Sequence, residues 1–239
     1  MNVYEINDIA ELIKDNSYVG RGIIIGKSGD GENAVSAYFI MGRSANSRNL
    51  IFVEKDGVLY TEPFDSSKVE DPSLIIYAAQ RKYENKLIIT NGDQTDTVYE
   101  GLKNGKCFKH SLKSRKFEPD SPNFTPRISG IIEFEENDFT YEMSILKSGD
   151  ENGSVCNRYT FSYEPINGLG HFIHTYIGDG KPLPTFVGEP ERISVPDDID
   201  VFTNSLWDSL DHDNRISLYV RYTNLKTGKE ENRLINQNK

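Results

Sequence analysis

A single-domain, strand-rich α+β fold is predicted for this 239-residue chain on three grounds. Residues 20–26 (GRGIIIG) and 35–41 (VSAYFIM) are continuous apolar runs without polar alternation, which marks strands covered on both faces. Many more short runs, rich in Val, Ile, Tyr and Phe, lie between turns of Gly, Asp and Asn. Helical periodicity is clear only late in the chain. Two sheets packed face to face, with helices outside, would account for doubly buried strands. No repeat, low-complexity tract or linker divides residues 1–239.

In chain order, residues 6–14 can form a short helix. Strands follow at 20–26, 35–41, 50–54 and 87–90. Residues 93–102 read as a helix entered from a strand, with Gly105 soon after its end. Further strands are expected at 128–134, 139–146, 158–163 and 172–176. The clearest helix is 197–210: Ile199, Phe202, Leu206 and Leu210 share one face, and acids fill the first turn, where the helix dipole favours them. Strands at 217–222 and 232–235 complete the chain.

Composition excludes several classes. A net charge of −10 with no extended basic stripe argues against nucleic acid; the densest basic stretch, 103–116, is short and reads as a solvated loop. No run of 18 apolar residues exists, so no membrane-spanning helix is expected. The first residues carry acids and no basic n-region, unlike a secretory signal. Cys107 and Cys156 sit in unrelated contexts and suit a reduced cytoplasm. Gly26-Lys27-Ser28 imitates a phosphate loop, but Arg21 stands where that motif needs glycine, and Gly29-Asp30-Gly31 reads as a hairpin turn. His171 and His174 lie three apart on a strand and so point to opposite faces, which disfavours a metal site. Trp207 reads as packing, and the acids of 189–200 as solvated.

Four segments place polar or backbone-special residues where core or simple turns would not. Residues 42–49 (GRSANSRN) offer Arg43 and Arg48 as a clamp for phosphate or carboxylate, with Asn46 between them, or equally form a long polar hairpin loop. Residues 90–97 (TNGDQTDT) join a strand to a helix and can present N–H groups to an anion, or simply cap the helix. Residues 117–127 (FEPDSPNFTPR) are stiffened by three prolines and carry Glu118, Asp120 and Arg127, either as positioned site groups or as part of a plain crossover loop. In residues 168–190 glycines flank a strand on both sides and allow close backbone approach, or simply form a set of tight turns.

Together, GRSANSR (42–48), NGDQTDT (91–97), EPDSPNFTPRI (118–128) and GLGHFIHTYIGDGKPLPTFVGEP (168–190) resemble the IMP cyclohydrolase family of archaea, found also in bacteria such as clostridia. The resemblance runs from about Gly20 to about Pro190. It implies a four-layer αββα sandwich similar to N-terminal-nucleophile hydrolases. The implied reaction is dehydrative closure of 5-formamidoimidazole-4-carboxamide ribonucleotide to inosine monophosphate, the last step of purine synthesis, in the cytoplasm and without cofactor or metal. The implied partner is the small purine ribonucleotide, and a homo-oligomer is compatible with it. Asn2 follows Met1, so no N-terminal nucleophile is expected.

Within that frame Arg43 and Arg48 are expected on the 5′-phosphate, helped by N–H groups near Asn91, Gly92, Asp93 and Thr95. Arg127 is a second anion or carboxamide contact. Glu118 and Asp120 are the general-base candidates, with Tyr176 and His171 as alternates for proton transfer. Asn46, Asn91, Asn123 and Thr125 are expected around the substrate. Two other readings use the same residues: an amide hydrolase on the related fold, and a nucleotide-binding relative without chemistry.

Overall fold

The computed structural model describes residues 2, 4–68 and 76–238. The chain runs through α1 (Ile9–Ile13), β1 (Arg21–Lys27), β2 (Asn33–Met41), α2 (Ala45–Arg48), β3 (Leu50–Lys55), β4 (Val58–Pro63), β5 (Tyr77–Tyr83), β6 (Lys86–Thr90), α3 (Gln94–Lys103) and α4 (Phe108–Ser111). It continues through β7 (Arg127–Phe134), β8 (Phe139–Ser148), β9 (Cys156–Tyr163), β10 (Leu169–His174), β11 (Glu191–Ser194), α5 (Ile199–Ser209), β12 (Arg215–Asn224) and β13 (Glu230–Asn236).

The strands form two antiparallel sheets, ordered β11-β10-β1-β2-β12-β13 and β3-β4-β5-β6-β7-β8-β9. Three apolar layers hold four layers of structure together. Ile9 and Ile13 of α1 and Phe202 and Leu206 of α5 pack on Ile24, Phe39, Phe172 and Leu218 of the six-stranded sheet. Between the sheets, Ile23, Ile25, Tyr38 and Ile40 meet Leu87, Ile89, Ile132 and Met143. On the far side Val98 and Leu102 of α3, Phe108 of α4 and Leu112 just after it cover Ile88 and Ile131. The unbroken apolar run of β1 now has its reason. Ile23 and Ile25 face the second sheet while Ile24 faces the helices, so no position is left for a polar residue.

Local chemistry trims the predicted elements. Asp8 caps α1 by accepting from Ala10 N (2.8 Å) and Glu11 N (3.2 Å), so the helix begins at Ile9. Asp198 does the same for α5 through Asp200 N (2.7 Å) and Val201 N (3.0 Å). β10 stops at His174, and Tyr176 pairs with Thr185 as an isolated bridge. Gly26-Lys27-Ser28 leads from β1 into a tight turn with Gly31 at φ +75°, as the hairpin reading required. His171 and His174 diverge as the strand period demands: His171 stacks on Tyr163, and His174 stacks on Phe172.

β4, β5, β11 and the one-turn helices α2 and α4 are additions to the sequence reading. In β5, Arg81 and Tyr83 turn outward and lean on Tyr99 of α3, the guanidinium 3.5 Å from the ring centroid. Tertiary cover from a helix lets a polar segment serve as an inner strand.

Candidate active site

At one end of the sandwich β1 begins, β2, β6 and β10 end, and β7 begins. The loops leaving these strands enclose a cavity of about 510 Å³, within the range of small-ligand sites. Arg43, Asn46, Asn91, Glu118, Asp120, Asn123, Thr125 and Tyr176 all line it, so the four sequence segments converge on one space.

The proline-rich loop before β7 supplies the carboxylates. Glu118 N donates to Thr125 O (2.9 Å), closing the loop on itself. Asp120 accepts from Thr125 N (2.7 Å) and from the Thr125 hydroxyl, and that hydroxyl lies 2.5 Å from the Tyr176 hydroxyl. A continuous hydrogen-bonded line therefore runs from the Asp120 carboxylate to the Tyr176 phenol. Asn123 Oδ1 accepts from Leu183 N (3.1 Å), which ties this loop to the one after β10.

Electrostatics divide these groups. Loss of water pushes the Glu118 carboxyl above its ordinary pKa; the Arg127 guanidinium, 4.0 Å away, pulls it back, and Asp120 raises it again. Burial likewise raises the Tyr176 phenol, with the Thr125 hydroxyl opposing. Arg43 at the mouth lies 4.9 Å from the Tyr18 ring centroid, and Tyr18 stacks on Tyr176 at 5.9 Å.

The cavity also contains residues the sequence reading did not select: Tyr18, Arg21, Ser44, Ser47, Tyr77, Thr175 and Leu183. Arg21 heads β1 and donates to Met41 O, which brings a second cation inside. The Tyr77 hydroxyl lies 2.8 Å from that of Tyr38, and burial raises both phenols. Arg21 carried a legible signal, a charge between two glycines at the head of a doubly buried strand; Gly22 leaves room for Phe39, whose ring lies 2.3 Å from where a Cβ would stand. Tyr77 carried none.

Six predicted residues lie elsewhere. Arg48 is exposed and braces its own loop, with Nε on Gly42 O (3.3 Å) and Nη2 on Asn214 Oδ1 (3.1 Å). Thr95 bonds the Thr90 hydroxyl at 2.7 Å inside the strand-to-helix turn. Arg127 is buried behind the cavity, with Nη1 on Gln94 Oε1 (2.6 Å) and Asp93 Oδ1 (2.8 Å). Asp93 also meets Arg115, and the two guanidiniums hold its carboxyl below the usual range against the opposing loss of water. Gly92 makes this packing possible, since a Cβ there would lie 2.5 Å from Arg127 Nη1. His171 sits between the sheets with Nδ1 2.6 Å from the Tyr141 hydroxyl. Even within the cavity wall, Asn91 is fully engaged: Oδ1 accepts from Gln94 Nε2 and Ile128 N (both 2.9 Å), and Nδ2 donates to Pro126 O (2.9 Å).

Among the described residues, no group of three His, Cys, Asp or Glu is placed to hold a metal ion, and no helix is long and apolar enough to cross a membrane. The fold is an αββα sandwich with a cavity between its sheet ends that Arg21, Arg43, Glu118 and Asp120 line. The model of the IMP cyclohydrolase-like protein family matches residues 18–229, a span that holds every residue lining the cavity. The chain belongs to this family. It is similar to the IMP cyclohydrolase of Methanopyrus kandleri, 33% identical over 122 residues (49% of this chain, 60% of that protein). It is also similar to that of Haloquadratum walsbyi, 29% identical over 119 residues (48% and 56%). The match to the Methanococcus maripaludis protein is longer, 26% identical over 188 residues (75% and 91%). The chain thus spans somewhat over half the length of the first two relatives.

Proposed function

We propose that this chain is an IMP cyclohydrolase that closes 5-formamidoimidazole-4-carboxamide ribonucleotide to IMP with loss of water. The observation that carries this reading is the convergence of two arginines, two carboxylates and three tyrosines on one nucleotide-sized cavity inside the family-matched span. The substrate already holds both reacting groups on one ring, so the protein needs chiefly to fix the reactive rotamer. The carboxamide nitrogen attacks the formyl carbon. A C–N bond forms as one proton leaves the carboxamide nitrogen and one reaches the formyl oxygen; the C–O bond then breaks, a second proton lets that oxygen depart as water, and the formamido nitrogen gives up its hydrogen as the ring C=N bond forms.

Arg43 and Arg21 are the groups suited to anions: the first, at the mouth, takes the 5′-phosphate, and the second faces charge that develops inside. Glu118 takes the amide proton. Its raised pKa makes it a better base than an ordinary carboxylate while Arg127 keeps it ionisable. The Tyr176 phenol, which lines the cavity and donates to Thr125 in the Asp120–Thr125–Tyr176 line, is the acid that protonates the departing oxygen when its hydrogen turns from Thr125 to the substrate. No covalent nucleophile is required, and the αββα layering supports the expected likeness to N-terminal-nucleophile hydrolases in fold alone. The setting we propose is the cytoplasmic end of purine synthesis.

The test mixes purified protein with the formamido ribonucleotide and follows IMP by ultraviolet absorbance, without added metal or folate. Turnover is expected, and Glu118→Gln is expected to lose at least a hundredfold in kcat with IMP affinity kept, the range for a positioned base. Saturable IMP binding without turnover would replace this reading with a non-catalytic relative. Turnover unaffected by Glu118→Gln would remove the base.

A further inference from the structure

Arg43 does not hold a free guanidinium at the cavity mouth. Its Nη1 donates to Asp179 Oδ1 and to Gly180 O (3.2 Å). Asp179 Oδ1 also accepts from Gly180 N (2.8 Å), so the carboxylate is aimed by its own backbone. The turn that carries it is anchored at its base. Tyr176 bridges Thr185, Ile177 N donates to Pro184 O (3.0 Å), and Asn16 Nδ2 donates to Ile177 O (2.9 Å). Its far limb reaches inward, where Leu183 lines the cavity. Arg43 therefore stands between two spaces: the cavity, and a shallow surface recess of about 300 Å³ formed with Asp179, Gly180 and Lys181.

We propose that Asp179 is a positioning residue that occupies Arg43 as an internal anion and yields it when the substrate's phosphate arrives. This rests on the reading of Arg43 as the phosphate contact. The ion-paired side chains are 30% and 48% exposed, so the pair is weak enough to exchange. A phosphate dianion brings more charge and a third acceptor oxygen than a carboxylate, so it wins the guanidinium in the exchange. The Tyr18 ring beside Arg43 gives the cation a surface to lean on as it turns inward. Because the exchange opposes each binding event, Asp179 weakens the grip on the phosphate of substrate and product alike, and so favours release of IMP. A ligand without phosphate leaves the pair intact and is indifferent to Asp179.

Isothermal calorimetry of the full chain with IMP and with inosine tests this. Asp179→Asn keeps an oxygen for Gly180 N and removes the charge. It is expected to tighten IMP roughly fivefold, the upper range for an exposed ion pair, and to leave inosine unchanged. In turnover the same variant is expected to lower KM, and Asp179→Glu, which retains the anion, to stay near the unsubstituted protein. Unchanged or weaker IMP binding in Asp179→Asn would overturn the proposal, as would equal tightening of inosine, which has no anion to exchange. Arg43→Gln separates the two levels. If it leaves IMP affinity unchanged, the phosphate role of Arg43 falls and takes the proposal with it. If it abolishes the preference for IMP over inosine while Asp179→Asn tightens nothing, only the role of Asp179 falls.

Discussion

Replacing Arg127 with methionine is the sharpest probe of how the base is tuned. The substitution keeps a long side chain in a buried slot but removes the cation that sits 4.0 Å from Glu118 Oε1. At that separation and an effective dielectric of about 20, the attraction has a ceiling of about 4 kcal/mol. Two features reduce it. The Glu118 side chain keeps 27% of its exposure, and Asp93, 2.8 Å from the same guanidinium, already offsets part of its charge. The net loss is well below that ceiling. Burial already pushes Glu118 up and Arg127 pulls it back, so removal of Arg127 moves the carboxyl further up. The acidic limb of kcat/KM against pH reports this group in the free enzyme, and it should shift upward in Arg127→Met. Stability should fall as well, by about 2–3 kcal/mol in urea, because Gln94 Oε1 loses a charged donor at 2.6 Å. Arg115 remains to hold Asp93, which limits the loss. An acidic limb that stays in place, or moves down, would refute the assignment of Glu118 as base or of Arg127 as its tuner.

Two further outcomes test the frame around the site. Burial, with Arg192 adding, pushes the His171 imidazole down to about 4, so the fold accommodates the neutral ring. Its contribution is whole above the unfolded value near 6.5 and is lost as pH falls toward 4, a swing of at most about 3 kcal/mol. Urea midpoints at pH 7 and pH 4.5 should differ less in His171→Gln than in the unsubstituted protein; an equal difference would place the acid sensitivity elsewhere. Gly20 holds φ +78°, and a Cβ there would lie 2.1 Å from Thr175 Oγ1 and 2.7 Å from the Tyr176 ring. Gly20→Ala should cost about 3 kcal/mol of stability in a denaturant melt and lower turnover by displacing Tyr176; a loss under about 0.5 kcal/mol would show that the turn yields freely.

Much of this protein was readable before its fold. Local patterns carried the doubly buried strands β1 and β2, the amphipathic α5 and the turn after Lys27, because side-chain period and turn chemistry are properties of neighbours in sequence. The residue types of four segments pointed to one polar site, and twelve of their residues do line the cavity. What sequence could not supply was direction. Arg43 and Arg48 look equivalent five residues apart, yet the loop turns one to the cavity mouth and the other to Asn214. Glu118 and Arg127 look like two ligands of one substrate, yet the strand start buries the arginine behind the carboxylate. Arg21 and Tyr77 belong to different sheets and meet only because the sheets pack face to face. Charge and hydropathy are written residue by residue and so determine which segments are core and which are polar. Which polar side chains share a space depends on sheet order and on where each loop's backbone bonds close, and those are long-range contacts that only the tertiary structure decided.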